Sequence, residues 1–274
     1  MSETPTTPTA TPGPWSDPPT AQAPAPGPIA APAAAEPSLL WNVISTLLLA
    51  AWLAWQIGPL GAVAAVLGVF VHEFGHLLVI NAAGSGPSRI RIIPFLGGAA
   101  TMARPPDTEL KGIVISLAGP VFGLLAALPF FGLAAWTGEK AWNVGALVVA
   151  GFNLLNLAPA PPLDGSKALG PVLARIHPQL ERLALVVIGG VAVLWTLSRG
   201  SLIAPVFIGL SVFGSLRAGA LRPAARPLSW GEWGLGLLLY VLAIALCAAV
   251  LAAAATQLGV NAHVLSFGSF GSRQ

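Results

Sequence analysis

Three residues that can do chemistry stand where hydrocarbon is expected. Val71-His72-Glu73-Phe74-Gly75-His76-Leu77-Leu78 lies inside an apolar segment running from about residue 59 to 80. On a helix, His72 and His76 are separated by i, i+4, so both imidazoles leave the same face, close enough to share one metal ion. Glu73 sits beside that face without being aligned with it, which suits a general base acting on water at the metal better than a third ligand. Three fixed positions can coincide by chance in a soluble helix. A carboxylate at membrane depth costs about 2.5 kcal/mol or more, however, and is rarely kept without a use.

The rest of the chain supplies that depth. Of 274 residues, 55% are hydrophobic and 8% charged, with a mean hydropathy of +0.78; a soluble domain carries about 25% charged residues. The composition predicts an integral membrane protein. The net charge of +3 forms no basic stripe, and aromatic residues fall inside apolar runs, so no nucleic-acid partner is expected. The single cysteine, Cys247, excludes an intrachain disulfide. His177 and His263 lie outside the apolar spans and read as solvated or interfacial.

Residues 1–37 are rich in Pro, Ala and Thr, hold 11 of the 26 prolines and contain no Lys or Arg. This tail is expected to be disordered and retained, since it lacks the basic region of a signal peptide. Seven apolar segments follow, at about 39–57, 60–81, 111–136, 141–158, 182–198, 201–217 and 234–258. Most are long enough to span a core of about 30 Å. The fifth and sixth are short and read as a tight hairpin or a re-entrant pair. The expected fold is an all-α polytopic bundle of about six or seven transmembrane helices: a first helix over 38–58, a catalytic core over 59–170, accessory helices over 171–258 and a tail over 259–274. Arg89, Arg91, Arg104, Lys111, Lys167, Arg175, Arg182, Arg217, Arg222 and Arg226 would share one side, against Lys140, Arg199 and Arg273 on the other. That bias places the N-terminus in the cytoplasm and His72–His76 near the cytoplasmic face, where water can reach.

Between residues 84 and 102 the pattern changes period. Ser88-Arg89-Ile90-Arg91-Ile92-Ile93 alternates polar and apolar, and Gly97-Gly98 offers a turn. Two readings stand together: a small membrane-associated β-hairpin whose edge, at Gly97, Gly98, Ala99 and Ala100, could pair with an extended peptide, or an interfacial loop with arginines at the headgroups. In the third segment, Gly112, Gly119, Gly123 and Gly132 let neighbouring helices approach closely.

The fourth segment ends in Asn153-Leu154-Leu155-Asn156-Leu157-Ala158-Pro159-Ala160-Pro161-Pro162-Leu163-Asp164-Gly165. Three prolines in four positions unwind the backbone at the cytoplasmic end of this span. The parity of spans puts Asp164 on the same side and at a similar depth as the histidines, which makes it the natural third ligand and leaves a fourth tetrahedral position open. A turn or cap residue in an Asp-Gly pair is the bland alternative. Asn156 could donate its amide to a polarised carbonyl or developing oxyanion. The donor set does not by itself separate zinc from other divalent metals.

With both constellations in view, the chain resembles the site-2 protease family of intramembrane zinc metalloproteases, over about residues 60–170. The resemblance implies a three-helix core with a hairpin near the active site, and one Zn2+ held by His72, His76 and Asp164. It further implies Glu73 as catalytic base, Asn156 assisting at the substrate carbonyl, and cleavage of membrane-anchored proteins in or beside their transmembrane helix. A bacterial inner membrane is the expected location, with lipid, a transmembrane protein substrate and room for a regulatory membrane partner; the oligomeric state stays open. Two departures concern substrate positioning: Gly123 stands where relatives often have Asn, and Ser166 where a second glycine is usual. No PDZ or CBS insertion is expected. The competing readings are a catalytically inactive scaffold that binds membrane helices, and a metal transporter, for which the halves offer no inverted repeat.

Overall fold

A computed structural model describes residues 39–93, 97–160, 162–198, 203–218 and 225–259. The expected N-terminal tail, Pro161, Arg199, Arg222, His263 and nearly all of the C-terminal tail lie outside the described residues.

The described chain is mainly helical. Helix α1 (Leu39–Ala82) is broken at Gly58, which takes φ 79° and ψ 165°, and restarts at Pro59. The break falls between the first two apolar segments because glycine tolerates positive φ and proline suits the start of a helix. Helix α2 (Glu109–Gly123), capped by the Thr108 hydroxyl accepting from Lys111 N–H, continues through a 3-10 turn (Leu124–Ala127) into α3 (Leu128–Thr137). Next come a 3-10 turn (Lys140–Trp142), α4 (Asn143–Asn156), α5 (Asp164–Ile176), α6 (Pro178–Ser198), α7 (Ile203–Ala218) and α8 (Trp230–Gln257).

Four stretches among the described residues are long and apolar enough to cross a membrane: Val43–Ala82, Glu109–Thr137, Gln179–Ser198 and Trp230–Gln257. Large side chains such as Trp55, Trp136 and Leu194 stand exposed on their outer faces. Such surfaces suit lipid and mark this as a membrane protein.

Strands β1 (Arg89–Ile93) and β2 (Gly97–Thr101) pair antiparallel, with Arg89 opposite Thr101 and Ile93 opposite Gly97. Gly97 and Gly98 therefore belong to the second strand, not to the turn expected there. The connection falls on residues 94–96, outside the described residues. The base of the pair is tied to the end of α1: Ala103 and Arg104 N–H groups both donate to Ser85 O, and Ser88 N–H donates to the Asn81 side chain.

Two apolar clusters hold the helices together. One joins α2, α4, α5 and α8 through Ile113, Leu117, Ala150, Leu157, Val172, Tyr240 and Cys247. The other joins α1, the 3-10 turn, α3, α4 and α8 through Ala64, Ala127, Phe130, Ala146, Val149 and Ala254. Small residues dominate the second, as close packing between membrane helices requires. The last helix contributes to both. Its N-terminus closes a capping box between Ser229 and Glu232, and the preceding chain bonds back to the start of α2 through Arg226 O and Glu109 N–H.

Candidate metal centre

The candidate metal site lies where α1, α2 and α5 meet. His72 and His76 lie one turn apart on the second half of α1, and Asp164 is the first residue of α5, all three buried. The proline run that ends α4 carries the chain back through short turns, with Ala160 N–H bonded to Ala158 O and Leu163 N–H to Ala160 O. It thereby sets Asp164 at a helix N-terminus, whose dipole favours a carboxylate.

The distances are compact. His72 Nε2 and His76 Nε2 lie 3.2 Å apart, and Asp164 Oδ2 is 3.0 Å from the first and 3.1 Å from the second. The outer nitrogens fix the tautomers. His76 Nδ1 donates to Ile115 O at 2.8 Å, and His72 Nδ1 donates to Asn153 Oδ1 at 2.9 Å. Asn153 is itself oriented by its Nδ2 donating to Val149 O at 2.9 Å. With both Nδ1 atoms protonated, each neutral ring turns an Nε2 lone pair toward the other and toward a carboxylate oxygen. Three acceptors at that spacing repel unless a cation lies among them. A tetrahedral ion with bonds of about 2.0–2.1 Å holds its donors about 3.3–3.4 Å apart, so the donor set fits one metal ion.

The surrounding backbone leaves room for it. A Cβ at Gly119 would run into His76 Nε2 and stand 2.7 Å from His72 Nε2, so only glycine lets α2 border the imidazole pair. At Gly123 a Cβ would meet the Asn153 amide. The glycine read above as a departure from the family pattern thus makes space for the side chain that orients His72.

Asp164 divides its oxygens. Oδ2 faces the histidines, while Oδ1 accepts from Lys167 Nζ at 3.3 Å, with the lysine 62% exposed. Glu73, next to His72, is 5% exposed. Asn156, expected to assist at a substrate carbonyl, donates Nδ2 to Phe152 O of its own helix at 3.0 Å. Asn153, three residues earlier, is the asparagine that joins the cluster. The available clue was an amide inside an apolar span, which must find a partner when buried. Gly97, Gly98, Ala99 and Ala100 lie on β2, and the side chains of the two alanines are outside the described ones.

Residues 60–140 match the model of Peptidase family M50, which bears out the resemblance over the first of the two motifs. The zinc metalloprotease MJ0392 of Methanocaldococcus jannaschii is 30% identical over 124 residues, 42% of this chain and 34% of that protein. Rip3 of Mycobacterium tuberculosis and sll0528 of a Synechocystis species are each 28% identical, over 132 and 130 residues, and their names give the same description provisionally. The chain spans about a third of the length of these curated relatives. Asp164 lies beyond the stretch that the family model matches, so its membership of the site rests on geometry.

Proposed function

We propose that this chain is an intramembrane zinc metalloprotease that hydrolyses peptide bonds in or next to transmembrane segments of membrane-anchored substrates. The observation that carries this reading is the convergence of His72 Nε2, His76 Nε2 and Asp164 Oδ2 within 4.8 Å of one another, at buried positions of a membrane protein. Two imidazoles with one carboxylate accept zinc among other divalent ions, and zinc is the metal that the names of the relatives give.

A bound zinc ion supplies Lewis-acid polarisation of the scissile carbonyl and makes water acidic near neutral pH. His72 and His76, locked by Asn153 and Ile115 O, keep their Nε2 atoms aimed at one point. Glu73 takes the proton of the attacking water on its carboxylate and passes it to the leaving amine. Asn156 assists at the substrate carbonyl by exchanging its bond to Phe152 O for one to substrate. A helical substrate has its carbonyls engaged in i→i−4 bonds, so it unwinds first; an extended strand then adds to the hairpin along Gly97–Ala100. Six or seven spans, counting α4 and α7 with the longer helices, would seat the hairpin and His72–His76 near the cytoplasmic face of a bacterial inner membrane.

The test is a trap. Glu73→Gln in the full chain should retain zinc, lose cleavage and accumulate uncut membrane proteins whose ends, sequenced from wild-type cells, map to transmembrane segments. Cleavage that persists in Glu73→Gln, or that survives a zinc chelator, defeats the proposal; a scaffold would keep its phenotype in the variant.

A further inference from the structure

The backbone that presents Asp164 carries an unusual burden. Helix α4 ends at Asn156 with Leu157 as its cap, and the last carbonyls of a helix need donors from outside it. The following residues would ordinarily provide them, but Pro159, Pro161 and Pro162 have no N–H. Leu157 is 1% exposed, so water does not substitute. Its carbonyl instead accepts from the Tyr240 hydroxyl of α8 at 2.6 Å, across 83 residues of sequence.

That same carbonyl touches the ligand's neighbour. A Cβ at Gly165 would collide with Leu157 O and stand 2.5 Å from Ala158 O, so the Asp164-Gly165 step rests directly on the peptide that Tyr240 holds. Tyr240 is the chain's one tyrosine beside eleven phenylalanines. Packing alone would be met by another Phe, whereas a donor at this place needs the phenol.

We propose that Tyr240 is a positioning residue for the metal site: through Leu157 O and Gly165 it fixes where Asp164 presents Oδ2, so α8 sets metal affinity without touching the metal. This inference rests on the metal site of the proposed function and adds to it a residue that lies outside the stretch matched by the family model.

The test uses the full chain in detergent and zinc as the probe. Trp233 is the control, because its Nε1 donates to Val172 O at 3.1 Å and so joins α8 to α5 at a point away from the proline turn. Zinc affinity, read by chelator competition, should fall about tenfold in Tyr240→Phe, as it does when outer-shell partners of ligands are lost. The rise in Tm on adding zinc should shrink with it. Trp233→Phe should lower Tm equally with and without zinc and leave affinity unchanged. Equal losses of affinity in the two variants, or none in Tyr240→Phe, overturn the inference while leaving the metal site standing. A wild-type chain that binds no zinc overturns the metal site and this inference together. Should Tyr240→Phe fail to fold, 3-fluorotyrosine incorporation labels position 240 alone. Zinc should move its fluorine resonance and a chelator restore it, and a resonance indifferent to bound zinc sinks the proposal.

Discussion

The second half of α1 and helix α6 are both apolar helices of membrane-spanning type, yet they meet opposite fates. On the second half of α1, Ala62, Ala64, Ala65, His72, His76 and Ile80 are buried, whereas Leu183, Val187 and Trp195 of α6 are exposed. Helix α1 hands its glycine and alanine positions to neighbours and carries three ionisable residues into the space between them. Helix α6 leaves Val191 and Leu194 open and turns its Thr196 hydroxyl back to the Ala192 carbonyl of its own helix. Hydropathy reports a preference for hydrocarbon, not which hydrocarbon. Small residues and polar residues that require partners distinguish a helix facing protein from one facing lipid.

Substitutions can break that contrast. The largest effect belongs to Asp164→Ala, which removes one of three donors: zinc content should fall to background, and cleavage of a membrane substrate should drop by about 10³-fold or more. Glu73→Gln should approach that loss of turnover, about 10²–10⁴-fold, while metal analysis finds zinc still bound. Gly119→Ala inserts a methyl between α2 and the two Nε2 atoms. Its zinc affinity should fall by about 10²-fold or more, and the Tm of the metal-free protein should fall as well, because the clash does not depend on the metal. Asn153→Ala, which frees His72 Nδ1, should weaken zinc about 10–100-fold in the same competition assay. The smallest effect is expected on α6, where Leu194→Ala should alter stability by about 0.5 kcal/mol or less and leave zinc affinity and cleavage untouched. If Leu194→Ala cost as much activity as Asn153→Ala, the separation of a working core from a lipid-facing periphery would fall.

His72 and His76 were legible because helical period alone puts them on one face. The place of Asp164 was legible because three prolines open the chain just ahead of it. The break at Gly58-Pro59 was likewise written locally. Asn153 was not, since an asparagine three residues before a more prominent one has no periodicity to separate it, and its partner lies 81 residues away. The strand register escaped for a related reason: Gly97-Gly98 has turn chemistry, but pairing with Ile92 and Ile93 decided its place. The packing of α8 into both clusters is a long-range outcome. Only Gly236, Ala243 and Cys247, small side chains among larger ones, hinted at a face turned inward.

Gly58 has a consequence for how force travels. At φ 79° it lies outside the helical region, and Pro59 beyond it has no N–H with which to continue the ladder. A push or twist applied to Leu39–Ile57 therefore meets a kink before the imidazoles, not one unbroken helical ladder.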